Sequence, residues 1–288
     1  MTAEVFAALH AAGVPAIVLK GASVARWLYD DTPRYSSDVD LLVAPASLEA
    51  AEAVLRSLAF QPSHGDEHAR DWARERDGMV VDLHETIVGV HVDPEVLWAE
   101  LTPESERMEL AGEEIAVLNP PARALHLALH AAQHGVGVST ALEDLERALA
   151  RLAAERWGEA AGLAERLRAA PAFAAGLRLV PAGRAVADRL GLPVEISPEI
   201  ALRARTPPPV ALGLYELATA QGFRGKARLL ARELAPPAAF MRGRFRFART
   251  RAGLAAAYAW RPLWLAWHAA PALRAWQRAR RESRASRP

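Results

Sequence analysis

Three aspartates stand where the surrounding residues predict buried β-strands. Asp38 and Asp40 lie one residue apart in "SSDVDLLV" (36–43), at the start of an apolar run, and Asp82 lies within "MVVDLH" (79–84). Alternate residues of a strand point to the same face, so Asp38 and Asp40 form a pair of like charges that repel each other. The arrangement therefore predicts a bound cation, since buried charges have to be paired or coordinated.

If the strands that carry Asp38, Asp40 and Asp82 are neighbours, three carboxylates meet at one place. Hard divalent cations prefer such oxygen ligands, so the expected ion is Mg²⁺, or Mn²⁺ in its place. Two such ions a few ångströms apart would clamp an in-line phosphoryl or nucleotidyl displacement. Two simpler interpretations stay open: Asp38 and Asp40 as a turn or cap before a strand, and Asp82 as the partner of an arginine.

A second group of residues is suited to holding phosphate. Lys20 and Gly21 follow the apolar segment "PAIVL" (15–19), and Ser23 comes two residues later. A glycine lets the backbone approach a ligand closely, and the start of the next helix presents N–H groups to an anion. Arg34, four residues before Asp38, is placed to reach phosphate oxygens from a loop. Lys20 as an ordinary lysine at a strand end is the alternative.

Histidines form a weaker signal. His126, His130 and His134 recur every four residues and so share one face of a helix. The predicted role is in a cleft, touching substrate or bonding Asp144; packing and zinc binding are alternatives, although no further zinc ligand is evident. His84 shares a strand face with Asp82 and is a further candidate for the same cleft.

Punctuation by glycine and proline divides the chain into two parts. Up to residue 118 the pattern predicts helices at 1–12, 22–30 and about 47–60, strands at 15–20 and 38–43, a hairpin turning at Asp77-Gly78, a helix beginning at Asp93-Pro94 and a second hairpin at 107–118. After Asn119 long amphipathic helices rich in Ala, Leu and Arg run to the end. The predicted fold is α+β, with a mixed-sheet domain at 1–118 and an all-helical domain at 119–288.

Composition bounds the setting. There is no cysteine, which excludes disulfides and thiolate metal sites. No basic stretch followed by an apolar run opens the chain, and no apolar run reaches the roughly 18 residues of a membrane span, so we expect a cytoplasmic protein. Residues 201–288 carry a net charge of +15, whereas residues 1–200 carry −14. Such opposed halves dock on each other, or the basic end meets a polyanion.

The basic tail is also rich in tryptophan. Trp260, Trp264 and Trp267 are spaced to form one aromatic helix face. Packing against the acidic half is one interpretation of this face. Peripheral contact with a membrane and contact with nucleic acid or another partner are the others, with nucleic acid not favoured.

Several segments together resemble a known family. "LKGASVARWLY", "TPRYSSDVDLLV", "VVDLH", "HLALHAAQHG" and "LEDLERAL" are similar to the nucleotidyltransferase superfamily typified by DNA polymerase β, and more closely to its family of uncharacterised nucleotidyltransferases. The resemblance covers most of the chain and is strongest at 17–45 and 79–85. It implies a nucleotidyltransferase-like mixed-sheet domain followed by the helical domain.

The resemblance also implies a reaction. An NMP group would move from a metal-bound NTP, with ATP the expected nucleotide, to an acceptor hydroxyl, and pyrophosphate would leave. Asp38 and Asp40 would bind both metals, Asp82 would bind the catalytic metal and help deprotonate the acceptor, and Gly21 and Ser23 would contact the triphosphate. The superfamily has an adjacent Gly-Ser or Gly-Gly pair, whereas here Ala22 separates Gly21 from Ser23, which leaves the serine contact open.

The acceptor is not identified by these residues. A small molecule, a peptide or a protein fits the resemblance, and so does an RNA end. Two other classes remain open: an antitoxin-like nucleotidyltransferase that modifies or binds a partner protein, and a non-catalytic nucleotide-binding scaffold, which the intact set of three aspartates argues against.

Overall fold

The computed structural model describes residues 2–29, 38–63 and 69–285. The chain divides into two compact units, residues 1–193 and 194–288. In the first unit the strands end at Val117 and a run of helices begins at Pro120, so the change from mixed structure to helices falls where the sequence predicts it. The first helices after that point nevertheless belong to the same compact unit as the sheet. A functional boundary near 118 stays a prediction.

The first unit is built on one seven-stranded mixed sheet, with the strand order β3-β4-β5-β2-β1-β7-β6. Its strands are β1 (Ala16–Val18), β2 (Asp38–Val43), β3 (Gln61–Pro62), β4 (Ala69–Arg74), β5 (Met79–His84), β6 (Glu106–Leu110) and β7 (Glu113–Val117).

Along the chain, helices alternate with the strands, and all of the regular structure of the second unit is helical. They are α1 (Thr2–Ala11), α2 (Ala22–Leu28), α3 (Leu48–Ser57), α4 (Pro94–Leu101), α5 (Pro120–His134), α6 (Ser139–Arg151), α7 (Ala154–Arg166), α8 (Ala170–Leu177), α9 (Pro181–Arg189), α10 (Pro198–Arg203), α11 (Ala211–Thr219), α12 (Gly222–Leu234), α13 (Ala238–Arg244) and α14 (Arg251–Ala285), with short 3₁₀ turns at Pro45–Ser47, Gly135–Gly137 and Arg246–Arg249.

Strand β2 occupies a buried position inside the sheet. It pairs with β1 in antiparallel fashion and with β5 in parallel fashion, and its residues from 39 to 43 are all buried. The short hairpin of β6 and β7 joins the same sheet, because Val117 of β7 pairs in parallel with Val18 of β1. The sequence predicts each of these strands, but not that the last hairpin extends the first sheet.

Helix α5 is packed tightly into the first unit. It contacts α6, α7 and α8, and most of its apolar side chains are buried. At the crossing with α8 the backbones approach closely, since a Cβ built on Gly176 would lie 1.9 Å from the carbonyl oxygen of Ala128. This packing fixes the helix that carries His126, His130 and His134.

The second unit separates the tryptophans that the sequence predicts on one face. Trp264 packs against a cluster around Met241 and Phe245. Trp260 and Trp267 instead lie on the outside of α14, with 48% and 82% of their surface exposed. Positions 260, 264 and 267 are spaced i, i+4 and i+7 and so share one side of α14, but the neighbouring cluster covers Trp264 and leaves Trp260 and Trp267 exposed. Among the described residues no helix is long and apolar enough to cross a bilayer.

Candidate functional site

The register of the sheet brings the predicted aspartates together. Strands β2 and β5 are parallel neighbours, and Asp40 lies directly opposite Asp82. Residues paired in this way point to the same face of a sheet, so the two carboxylates stand side by side. Asp38 shares that face two residues earlier. The expected meeting of carboxylates from two strands is thus present in the structure.

Lys20 is placed beside these carboxylates by the antiparallel pairing of β1 and β2. The amide of Leu19 donates to the carbonyl oxygen of Asp40 at 3.0 Å, which sets the next residue next to the aspartates. The Lys20 Nζ lies 3.0 Å from Asp40 Oδ1 and 3.7 Å from Asp38 Oδ2. The Lys20 ammonium thus serves as the counterion of Asp38 and Asp40. The sequence alone does not show whether Lys20 has this role or binds phosphate.

His84 joins the same cluster from the end of β5. Its Nε2 lies 3.3 Å from Asp40 Oδ1. One ligand atom from each of Asp40, Asp82 and His84 lies within 4.8 Å of the others, and in the described part of the chain these three side chains form the group that could hold a metal ion. The sequence places His84 on the right face but predicts Asp38, not His84, as the third member of the metal site.

Burial and neighbouring charges shift the pKa values of the two facing carboxylates, Asp40 and Asp82, in opposite directions. Burial of Asp40 raises its pKa, but the His84 hydrogen bond and the Lys20 charge outweigh burial and lower the pKa to about 2. Burial, together with the negative charges of Asp40 and Asp71, raises the pKa of Asp82 to about 7. For Lys20, burial lowers the pKa, yet Asp40, Asp38 and Asp82 produce a net rise.

The donor set fits a divalent cation. Asp40 is 1% exposed, and its Oδ2 and the Oδ1 of Asp82 are buried with no hydrogen-bond partner among the described residues. Unpaired buried carboxylate oxygens are costly, and two of them from adjacent strands are suited to share one ion. A cation there would also lower the pKa of Asp82, because a nearby positive charge stabilises the ionised carboxylate.

The predicted phosphate-binding residues are only partly described. Gly21 has a φ of +71° and begins α2, so the backbone turns there in a way that favours glycine. Ser23 is buried, with its hydroxyl 3.5 Å from the carbonyl oxygens of Leu19 and Lys20. Its side chain therefore faces the protein backbone. Arg34 lies outside the described residues, and its phosphate contact stays a prediction.

The three histidine rings of α5 follow one another in a row near Lys20. The His126 and His130 ring centroids are 6.2 Å apart, and those of His130 and His134 are 4.5 Å apart. Burial and the charge of Lys20 lower the pKa of His126 to about 3 and that of His130 well below its usual value. Both ring nitrogens of His126 lack a hydrogen-bond partner in the described structure. These two rings are neutral at physiological pH, and the stripe is not among the metal-binding groups of the described residues.

Two features of the site escape the sequence interpretation. Asp71 on β4 lies opposite Asp82, so a fourth carboxylate follows Asp40 and Asp82 across the sheet. The predicted turn at Asp77-Gly78 does not reveal this pairing. Arg74 pairs with Met79, so the loop spans residues 75–78 and places Asp71 opposite Asp82, whereas counting back from a two-residue turn at 77–78 would place residue 71 opposite residue 84. The other feature is the Tyr29 hydroxyl, which donates to Asp144 at 2.8 Å and ties the end of α2 to α6.

A mixed sheet on which carboxylates from adjacent strands meet beside a lysine, followed by helices, defines the chain as an α+β protein with a polar site on the sheet. The chain belongs to the family described as uncharacterised nucleotidyltransferase, whose family model matches residues 1–182.

Comparison with solved structures finds loosely similar folds. The antibiotic-resistance factor ANT(2'')-Ia is 17% identical, with a TM-score of 0.42, over 57% of this chain and 88% of that one. The lincosamide antibiotic adenylyltransferase LnuA with bound lincomycin is 14% identical, with a TM-score of 0.36, over 50% and 92%. An antigenic nucleotidyltransferase-like protein from Paracoccidioides brasiliensis is 16% identical, with a TM-score of 0.36, over 58% and 90%. No curated protein matches the chain.

The raised pKa of Asp82 predicts a pH-dependent stability. An acid whose pKa is higher in the folded state contributes stability that is complete below its unfolded pKa, about 4, and is lost as pH rises through the folded value, which is about 7. We expect the melting temperature of the metal-free protein to fall more between about pH 5 and pH 8 than that of Asp82→Asn. Scanning calorimetry in chelator measures both. Glu95→Gln, an exposed control on α4, should follow wild type; an equal fall in Asp82→Asn contradicts the assignment.

The position of Lys20 predicts competition with a divalent ion. Because its ammonium occupies Asp40 Oδ1, an ion has to displace it or bind against its charge. We expect Lys20→Met to bind Mn²⁺ in the absence of nucleotide about 10-fold more tightly, a difference of about 1.4 kcal/mol. Free Mn²⁺ measured by electron paramagnetic resonance reports the affinity. Lys226→Met, the replacement of the other lysine of the chain, should bind as wild type does. Weaker or unchanged Mn²⁺ binding in Lys20→Met refutes the competition.

Proposed function

We propose that the protein is a nucleotidyltransferase that depends on a divalent cation, Mg²⁺ or Mn²⁺ in its place, and that it moves an NMP group from an NTP, with ATP the expected nucleotide, to an acceptor hydroxyl and releases pyrophosphate. The observation that supports this most strongly is that one oxygen of Asp40 and one of Asp82, on adjacent strands beside Lys20, have no hydrogen-bond partner among the residues that the structure describes. Membership of a nucleotidyltransferase family supports the class of reaction.

The proposed role of each residue follows from its position in the site. Asp40 and Asp82 would hold an ion between β2 and β5, and Asp38 would contribute to a second one at the start of β2. Bound there, divalent ions would neutralise phosphate charge and align the attacking and leaving oxygens. Lys20 would turn from the carboxylates to the phosphates once an ion takes over its role as counterion. Gly21 would let the backbone approach the triphosphate.

The reaction that these positions support is a single displacement. The acceptor oxygen forms a bond to the α-phosphorus, and the bond from that phosphorus to the oxygen bridging to the β-phosphorus breaks, so that pyrophosphate leaves with the electron pair. The acceptor's proton needs a base nearby. Asp82 would help to remove it, since this carboxylate lies at the site and a bound ion would keep it in its charged form, which can accept a proton.

We propose that His126, His130 and His134 line the site where the acceptor binds. His126 and His130 are close enough to the site for the charges of Lys20 and Asp40 to act on them. Neutral imidazoles can both donate and accept hydrogen bonds, which suits a hydroxyl-bearing acceptor. Small molecules, peptides and proteins all offer such a group, and the stripe does not choose among them.

Substitution of the facing aspartates tests the proposed function. With α-labelled NTP, Mg²⁺ and a panel of hydroxyl-bearing small molecules, peptides and proteins, wild type should transfer label and release pyrophosphate. Asp40→Asn and Asp82→Asn should each lower the rate by at least roughly 10²-fold, because each removes a charged ligand at the reacting phosphate. Glu85→Gln, which changes an acid next to β5 that pairs with Arg70 on the other face, is the matched control. Retained transfer in either Asn variant, or no NTP binding by wild type, refutes the mechanism.

The second unit offers a separate surface for a partner. The outer face of α14 exposes Trp260, Leu263 and Trp267 by 48%, 62% and 82%, and residues 201–288 carry a net charge of +15. Aromatic and aliphatic side chains on one helix face combined with many arginines are typical of helices that lie on anionic bilayers. We propose peripheral contact with an anionic membrane surface through this face.

Vesicle co-sedimentation of the full chain tests the membrane contact. The protein should pellet with vesicles of phosphatidylcholine and phosphatidylglycerol but not with phosphatidylcholine alone, and less so at high salt, which screens the attraction. The double variant Trp260→Ser, Trp267→Ser should pellet several-fold less, whereas Val194→Ser, a change at an exposed apolar residue of the same unit, should match wild type. Absence from the pellet, or binding that the double variant keeps, rejects this partner.

A further inference from the structure

The group of side chains that could hold a metal ion, Asp40, Asp82 and His84, includes a nitrogen donor, which an all-carboxylate site would lack. We propose that His84 coordinates the ion through Nε2 and that the site therefore prefers Mn²⁺ and similar transition-metal ions to Mg²⁺. This inference deepens the proposed function and rests on its metal position between Asp40 and Asp82.

Strand geometry places the imidazole at the ion's position. Asp82 and His84 are two residues apart on β5 and share one face. On β2 Asp40 lies opposite Asp82, and Leu42 lies opposite His84, so the ring reaches Asp40 diagonally. One ligand atom from each of the three side chains lies within 4.8 Å of the others.

The distance between the imidazole and Asp40 suits two ligands of one ion. Adjacent ligands at about 2.1 Å from an octahedral ion lie roughly 3 Å apart. The Nε2 of His84 is 3.3 Å from Oδ1, one of the two oxygens of the Asp40 carboxylate, so the ring lies within reach of an ion bound to that carboxylate. The same separation is slightly longer than the usual N–H···O hydrogen bond of about 2.7–3.2 Å. Lys20 approaches that oxygen more closely, at 3.0 Å. In the absence of an ion the ring therefore shares this oxygen with Lys20, and an ion at the carboxylate would exchange a long hydrogen bond for a coordinate bond.

The unpartnered oxygens complete the ligand set. Asp40 is 1% exposed, and its Oδ2 and the Oδ1 of Asp82 have no hydrogen-bond partner in the described structure. An ion bound by these side chains would have two carboxylates and one imidazole from the protein. With no cysteine in the chain, no thiolate can join them.

Ligand chemistry then decides the metal. Mg²⁺ selects oxygen donors and near-ideal octahedral geometry, whereas imidazole nitrogen suits the first-row transition metals. Mn²⁺ accepts both carboxylate and imidazole. His84 is thus a specificity-determining residue for the cofactor, and its replacement by a carboxylate should shift the site toward Mg²⁺.

The test uses Mn²⁺ alone with the full protein and no nucleotide. Pulsed electron paramagnetic resonance detects ¹⁴N coupling when an imidazole nitrogen binds Mn²⁺, a signal that a merely positioning histidine does not give. We expect this coupling in wild type and its loss in His84→Asp and His84→Gln. Competition of Mg²⁺ against Mn²⁺ should show a preference for Mn²⁺ of roughly 10-fold or more in wild type, and a several-fold smaller one in His84→Asp. His10→Asn, a change at an exposed residue of α1, is the control and should keep both.

Each result decides the inference. No Mn²⁺ binding, no ¹⁴N coupling in wild type, or coupling that both His84 variants retain overturns it, and the wild-type spectrum alone is decisive if a variant does not fold. Nucleotidyl transfer without ¹⁴N coupling would reject His84 as a ligand and leave the proposed function standing. Coupling without transfer to any acceptor would do the reverse.

Discussion

The repulsion between Asp40 and Asp82 is the constraint on which the site depends. Parallel pairing of β2 with β5 holds the two carboxylates side by side on one sheet face, where little water can screen them. Such a pair is unfavourable unless a cation lies close by. Lys20 contacts Asp40 and only partly meets this need. Burial and the negative charges of Asp40 and Asp71 raise the pKa of Asp82 to about 7.

Other elements of the first unit hold the charged side chains around Asp40 and Asp82 in place. Antiparallel pairing of β1 with β2 delivers Lys20 to the aspartates, and the β4–β5 hairpin holds Asp82 from the other side. Helix α5, packed tightly against α8, brings neutral histidines near the same lysine. A site of this kind is preorganised, because an arriving ion and its nucleotide find ligands already in place.

Much of this arrangement could be predicted from the sequence because strand alternation and turn residues are local signals. The Asp38–Asp40 pair, the strand around Asp82 and the turn at Asp77-Gly78 belong to this class. Strand order is not local, so the parallel pairing of β7 with β1 and the position of Asp71 opposite Asp82 needed the structure. Helix spacing alone also could not show that Trp264 is covered while Trp260 and Trp267 are exposed, because coverage depends on the neighbours that pack against the helix. The phosphate contact of Arg34 stays a prediction.

The most direct test of a divalent ion held by Asp40 and Asp82 is its location in a crystal. Crystals of the wild-type protein grown with Mn²⁺ and a non-hydrolysable ATP analogue would give an anomalous difference map at the manganese edge. The account predicts a peak bonded to Asp40 Oδ2 and Asp82 Oδ1, with the triphosphate beside it and Lys20 turned toward the phosphates. A bound nucleotide with no anomalous peak there, or with manganese bound only elsewhere, would contradict the account.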